Sequence, residues 1–179
     1  MKPTDRQIIL IAHNLRSCHN VGSLLRTAEG LGIQEVILSG YTPYPFALPS
    51  TDGLRRTSNS DHRLPHEAAK IARQINKTAL GAETMIAWRH EPDVFAAIES
   101  LRADGWQIAA LEQTETSRQL HEFKPTHKTV VLLGREVEGV EPEVLSACDV
   151  SLEIPMFGRK ESFNVVQAAA MAMYQCRFS

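Results

Sequence analysis

The chain has 179 residues, of which 43% are hydrophobic and 22% are charged, a composition typical of soluble globular proteins. It contains no run of about 18 apolar residues, so we expect no membrane-spanning helix. The net charge of −2 excludes binding of nucleic acid through bulk positive charge, and any such contact would have to rest on local patches of basic residues.

The amino-terminal stretch predicts a first strand and not a signal peptide, because its short apolar run has neither a long hydrophobic region nor a small-residue cleavage site. The three cysteines, Cys18, Cys148 and Cys176, are odd in number and share no metal-ligand spacing. A reduced, cytoplasmic protein without a metal site is the simplest interpretation. The length suits one compact domain of residues 1–179.

Short apolar runs alternate with helical patterns along the chain. The predicted strands are Gln7–Ala12, Glu35–Leu38, Thr84–Trp88, Trp106–Leu111, Thr129–Leu133 and Ser151–Ile154. The predicted helices are Asn20–Leu31, His66–Thr78, Asp93–Arg102, Pro142–Ala147 and Ser162–Cys176. Continuous apolar strands that alternate with helices favour an α/β fold, with a mostly parallel sheet covered by helices on both faces.

Residues 41–65 predict a long loop, because four prolines lie there among polar residues. Long loops in compact domains are usually functional or mobile. His62 and His66 in and beside this loop are four residues apart, but Pro65 lies between them and no cysteine or carboxylate set joins them. We therefore interpret both histidines as surface residues and not as zinc ligands.

Three polar clusters follow predicted strands: residues 14–26, 134–139 and 158–164. Ligands of parallel α/β sheets bind at the carboxyl ends of the strands, where such clusters can meet. Phosphate-loop, dinucleotide-binding and hydrolase-elbow motifs do not occur. The glycines of GREVEG, residues 134–139, fit either a tight turn or a backbone that approaches a ligand closely.

The three clusters together resemble the motifs of a known family. The sequence reads NLRSCHNVGSLLR at the first cluster, LLGREVEG at the second and IPMFGRKESFNV at the third, with Phe163 where that family usually has leucine. In this order and spacing they resemble the SPOUT class of S-adenosylmethionine-dependent RNA methyltransferases, in its SpoU (TrmH-like) group. The resemblance covers residues 7–174.

The resemblance implies a parallel α/β sheet that ends in a deep C-terminal trefoil knot, in a single methyltransferase domain without a separate RNA-binding domain. It implies a homodimer formed through the knot region and the closing helix. It also implies that S-adenosylmethionine binds in the knot loops against Gly134, Ile154 and Phe163, with Met156 nearby. Ser162 is expected at the start of the closing helix, where a serine can also act as the N-cap.

The resemblance marks Arg26 as catalytic for transfer of the methyl group to a ribose 2′-hydroxyl of tRNA or rRNA, with Asn20, Glu136, Ser162 and Asn164 orienting it and the ribose. A guanidinium with a pKa above about 12 is a poor base. We therefore expect Arg26 to hold phosphate and the developing alkoxide. An ion pair of Arg26 with Glu29 or Glu35 on the protein surface is the alternative.

RNA contacts are expected from Arg16, Arg55, Arg56 and Arg63, the last three in a loop that also holds Tyr41, Tyr44 and Phe46. Aromatic rings and arginines suit base stacking and phosphate contact, although a loop that only covers the sheet fits nearly as well. Three alternative functions stay open: a catalytically inactive RNA-binding protein with the same fold, an RNA base methyltransferase, and a different nucleotide-dependent α/β enzyme.

Overall fold

The structure, a computed structural model, describes residues 5–46, 55–57, 61 and 63–179. These residues form one eight-stranded sheet in the order β3-β4-β2-β1-β7-β5-β8-β6. Every neighbouring pair is parallel. The strands are β1 Gln7–His13, β2 Glu35–Ser39, β3 Arg55–Thr57, β4 Trp88–Glu91, β5 Gln107–Leu111, β6 Arg118–Gln119, β7 Lys128–Leu133 and β8 Val150–Glu153.

Five α-helices lie on the two faces of this sheet in the described part of the chain. They are α1 Cys18–Gly30, α2 Pro65–Ala79, α3 Val94–Ala103, α4 Pro142–Ser146 and α5 Val165–Phe178. Buried side chains of α1, α2 and α5 share one core with the sheet, and those of α3 and α4 share a second core on the other face. The predicted α/β architecture, a parallel sheet covered on both faces, is confirmed.

The central strands β1 and β7 are buried along almost their whole length, which explains why their sequences are apolar on both faces. The helix α1 packs closely on α2 at Gly22, where a Cβ atom would lie 2.2 Å from the Ile75 carbonyl oxygen. The last helix is fixed by the buried Arg177, which donates to the backbone carbonyls of Arg6, Leu31 and Gly32. None of the described helices is long and apolar enough to cross a membrane.

Two predicted boundaries are wrong in the middle of the chain. The predicted strand Thr84–Trp88 contains the end of a 3₁₀ turn, Ala82–Thr84, and the true strand β4 starts at Trp88. The turn is held by the Trp88 indole, which donates to the Glu83 carbonyl at 3.0 Å. The predicted loop 41–65 is interrupted by the short strand β3, and its last residue, Pro65, already begins α2.

The closing helix begins three residues later than predicted. It starts at Val165, and its N-cap is Asn164, whose side chain accepts a hydrogen bond from the Val166 amide at 2.9 Å. Ser162 therefore does not cap the helix and lies in the loop before it. An asparagine is as good a cap as a serine, so sequence alone could not choose between the two positions.

Candidate active site

A cavity of about 310 Å³ opens over the carboxyl ends of β5, β7 and β8, three adjacent strands of the sheet. Four residues predicted to bind a cofactor line it: Gly134, Ile154, Met156 and Phe163. Glu136 and Ser162 line it as well. The second and third sequence clusters therefore meet at one site, as their places at strand ends predict.

The GREVEG segment folds into a small hairpin at the wall of this cavity. The Arg135 amide donates to the Gly139 carbonyl at 2.9 Å, and the Gly139 amide donates back to the Arg135 carbonyl at 3.2 Å. Gly134 has no room for a side chain, because a Cβ atom there would lie 2.4 Å from the Gly139 carbonyl carbon. Gly139 has φ of 74°, and a Cβ atom there would lie 2.1 Å from Glu112 Oε2. Both glycines are thus required by backbone geometry.

Glu136 joins this hairpin to the start of α1. Its carboxylate accepts hydrogen bonds from the backbone amides of Arg16 and Ser17 and, at 3.2 Å, from the Asn20 side chain. Burial alone would raise the pKa of Glu136, but these hydrogen bonds to the charged form outweigh it and the pKa lies below its ordinary value. The first sequence cluster is therefore held against the second by one ionised carboxylate.

A second contact joins the end of β1 to the residues that follow the hairpin. The Asn14 side chain donates to Glu141 Oε1 and approaches His13 Nε2, both at 2.9 Å. Arg135 forms an ion pair with the same Glu141 oxygen at 2.7 Å. Asn14 has φ of 57°, a conformation that asparagine tolerates better than most residues. Sequence reasoning did not single out Asn14 or Glu141, which lie 127 residues apart.

His13 is the buried base of this contact. Its Nδ1 lies 3.2 Å from the Ser39 hydroxyl, so neutral histidine with its proton on Nδ1 satisfies both neighbours. Burial lowers the pKa of His13 more than the nearby Glu141 raises it, and Arg135 lowers the pKa further. The lowered pKa and these contacts of the ring nitrogens favour an uncharged imidazole.

Glu112 is a further carboxylate that sequence analysis missed. It follows β5, lines the cavity and accepts a hydrogen bond from the Val140 amide at 2.8 Å, just beyond the hairpin. With Glu136 and Glu153 it places several carboxylates around the same space. Such a wall suits a small ligand that carries positive charge.

Arg26 lies on the exposed surface of α1 and does not line the cavity. It makes no hydrogen bond or ion pair with any other residue that the structure describes. Neither alternative, an ion pair of Arg26 with Glu29 or with Glu35, occurs among the described residues, and Glu35 pairs with Arg89. The Arg26 side chain is exposed, and it has no partner among the described residues.

The arginines predicted to contact RNA lie in different surroundings. Arg16 is exposed and pairs with Glu138 at 3.3 Å. Arg63 is only 16% exposed in its side chain and is held by Asp61, by the carbonyls of Tyr44 and Pro45 and by the face of the Tyr44 ring. Through these contacts Arg63 has a structural role, because it joins Asp61 to the segment of Tyr44 and Pro45. The side chains of Arg55 and Arg56, and His62 as a whole, lie outside the described residues.

Ser162 and Asn164 lie in the loop that leads into α5, and both are exposed. Ser162 faces the cavity, whereas Asn164 uses its side-chain oxygen to cap the helix and keeps its amide nitrogen unbonded within the described chain. No group of three or more potential metal ligands occurs among the described residues.

The fold and site define a parallel α/β protein with a small-molecule cavity at the carboxyl edge of its sheet. Residues 54–174, well over half of the chain, match the SpoU rRNA Methylase family, so the chain belongs to that family and the predicted family is confirmed.

Named relatives agree with this membership. A tRNA (guanosine(18)-2′-O)-methyltransferase of Thermus thermophilus is 26% identical over 170 residues, which are 95% of this chain and 74% of that protein. One of Escherichia coli is 26% identical over 159 residues, 89% of this chain and 58% of that protein. The structure of an AdoMet-bound rRNA methyltransferase from Sinorhizobium meliloti has a TM-score of 0.75 at 21% identity, over 98% of this chain and 57% of that one. The chain thus spans little more than half of the last two proteins.

Proposed function

We propose that this protein transfers a methyl group from S-adenosylmethionine to a ribose 2′-hydroxyl of tRNA or rRNA. The observation that carries the proposal is the hairpin Gly134–Gly139, which forms a wall of the cavity and at the same time holds, through Glu136, the start of the helix that bears Arg26. The site of the methyl donor and the site of the RNA acceptor are then fixed relative to each other. Such positioning can lower a reaction barrier by about 7–11 kcal/mol.

The cavity fits the proposed cofactor in size and chemistry. A volume of about 310 Å³ lies within the range of small-molecule sites. Its apolar lining, which includes Ile154, Met156 and Phe163, suits an adenine ring, and the carboxylates of Glu112 and Glu136 suit a positively charged ligand. When bound, S-adenosylmethionine supplies an activated methyl group on a sulfonium that leaves as a neutral thioether.

The chain's own residues supply orientation and charge. Asn20 is fixed by Glu136 and can hold the ribose, with Ser162 and Asn164 presented from the opposite loop. Arg26 binds a phosphate of the RNA and stabilises the oxygen as it loses its proton, because a guanidinium offers five donors and keeps its charge. The proton passes to an acceptor other than Arg26.

We also propose that the chain is a single cytoplasmic methyltransferase domain that forms a homodimer through α5. The exposed ring of Tyr174 borders an apolar groove lined by Leu120, Pro155 and Met171, which supports an interface between two copies there. We further infer a C-terminal trefoil knot, which the resemblance of the three sequence motifs to the SPOUT class supports.

Calorimetric titration tests the proposal first, with S-adenosylmethionine, S-adenosylhomocysteine, NAD and ATP. Saturable binding of the first two alone is expected, followed by methyl transfer to unmodified RNA. Complete nuclease digestion and mass spectrometry then locate the methyl group. A methyl group found on a base would show that the protein is a base methyltransferase and not a ribose methyltransferase. Cofactor binding without transfer to any tRNA or rRNA would favour the inactive RNA-binding protein.

A further inference from the structure

The helix α2 carries its basic residues on one stripe. The stripe consists of His66, Lys70, Arg73 and Lys77, all of them exposed. At 3.6 residues per turn these four positions fall within an arc of about 60° and extend over about 16 Å. The buried residues Ala68, Ile75 and Ala79 lie on the opposite side, so the stripe points away from the core.

The positive charge of this stripe has no counter-charge among the residues that the structure describes. None of its four side chains makes a hydrogen bond or an ion pair with another residue that the structure describes. Other arginines differ in this respect, since Arg89 and Arg135 pair with glutamates and Arg102 with an aspartate. In a chain of net charge −2, three cations in one row, each without an ion pair in the described part of the chain, form a local positive patch.

We propose that the α2 stripe is a docking surface for the phosphate backbone of the RNA substrate, an inference that rests on the proposed function. Lysine and arginine that neutralise phosphates release condensed counterions, and this favours binding irrespective of sequence. Phosphate contacts fix the position of an RNA without reading its bases. Such contacts suit a protein whose overall charge does not attract RNA.

The stripe belongs to a helix that is fixed beside Arg26. The Thr78 hydroxyl donates to the His19 carbonyl at 2.8 Å, and Gly22 lies against the Ile75 carbonyl. Gly22 and Arg26 both belong to α1, so the helix that carries the stripe is fixed to the helix that carries Arg26.

A membrane surface is the other polyanion that a basic helix can meet. Membrane-bound amphipathic helices insert an apolar face, but the apolar face of α2 is already buried in the protein core. The exposed large apolar side chains at α2 are those of Leu64 and Leu80, the residues that flank its two ends. The observations therefore favour RNA.

The test compares two double variants that remove the same charge. Lys70→Gln/Arg73→Gln removes two of the three positive charges of the stripe, and Arg118→Gln/Lys124→Gln removes two exposed positive charges elsewhere. Affinity for unmodified tRNA and for a short RNA duplex is measured between about 50 and 200 mM salt. For the stripe variant we expect a slope of log K against log salt that is shallower by about 1.4–1.8, and for the other variant an unchanged slope. The exchange Lys70→Arg/Arg73→Lys should retain the wild-type slope.

Equal loss of affinity in both neutralised variants would overturn the proposal, because net charge alone would then explain it. Unchanged RNA affinity in the stripe variant would also overturn it, and lost binding to phosphatidylserine vesicles would then favour a membrane. Calorimetry with S-adenosylmethionine on the same samples separates the two proposals. Stripe-dependent RNA binding by a protein that binds no cofactor would refute the proposed function and support the stripe.

Discussion

Arg26 is the residue whose surroundings most directly invite a test, since its exposed guanidinium has no partner in the described chain. Arg26→Ala should leave the affinity for S-adenosylmethionine unchanged, because Arg26 does not line the cavity. Single-turnover methyl transfer should fall by about 10²–10³-fold, the usual loss when one charge-stabilising donor is removed.

Arg26→Lys is the matched control for that variant. It keeps the positive charge and loses the planar fork that binds phosphate in a bidentate manner. We expect an intermediate rate. Equal rates for Arg26→Ala and wild type would remove Arg26 from the mechanism.

The lowered pKa of Glu136 predicts that the free energy of unfolding depends on pH. Its pKa is lowered in the folded protein, so its stabilisation is complete above the ordinary glutamate pKa of about 4.3 and is lost as the pH falls through the lower folded value. Glu136→Gln should therefore lower the free energy of unfolding at neutral pH, and the difference from wild type should shrink in acid. Urea unfolding at several pH values measures it. A difference that stays constant with pH would contradict the role of the carboxylate charge.

At the scale of elements, the hairpin Gly134–Gly139 depends on a left-handed glycine. Gly139→Ala should strain a residue with φ of 74° and push its Cβ atom into Glu112. The strain alone is worth about 1–3 kcal/mol, and the displaced hairpin should weaken cofactor binding at least tenfold. Calorimetry measures the affinity.

Gly158→Ala is the control for that variant, at a glycine that does not line the cavity. Gly158 lies in the loop before α5, has no atom within 4 Å of an added Cβ and is not in the left-handed region. Its substitution should leave cofactor affinity within about twofold of wild type, since it adds only one methyl group in open space. Equal losses in the two variants would mean that the hairpin geometry is not what the cavity requires.

The elements that sequence predicted well are those with a strong local signal. Strand β7 is a continuous apolar run, and α3 and α4 have a clear cap or an initial proline. The two-residue strand β6 has no such signal, because pairing with β8 alone defines it. Thr84–Trp88 resembled a strand because Trp88 and its neighbours are apolar, whereas the local backbone is set by a hydrogen bond from the indole.

The motif residues of the site could be predicted from the sequence, whereas the residues that hold them in place could not. Glycines and the carboxylate of Glu136 stand in a recognisable order, so their meeting at the strand ends could be expected. Glu112 and Asn14 act through contacts to Val140 and Glu141 that cross 28 and 127 residues. Nothing in the spacing of a single sequence marks such partners.

For the whole molecule, the proposed homodimer makes the clearest prediction. Tyr174 on α5 is 57% exposed, packs its ring at a tilt against Phe178 and borders the apolar groove next to Pro155. Tyr174→Asp would place a charge in that interface, and burying an unpaired carboxylate costs several kcal/mol. We expect light scattering to give twice the monomer mass for wild type and the monomer mass for the variant.

Met85→Asp is the control for Tyr174→Asp. It tests whether a charge at any exposed apolar side chain dissociates the dimer. Met85 is 66% exposed and lies just after the 3₁₀ turn, at a distance in sequence from α5. Its substitution should leave the mass at that of a dimer. A dimer that survives Tyr174→Asp and dissociates with Met85→Asp would move the interface to the end of α2. Tyr174→Asp should also weaken cofactor binding. Ile154 lines both the groove and the cavity proposed to bind the cofactor, so loss of the dimer would remove a support from the cavity wall.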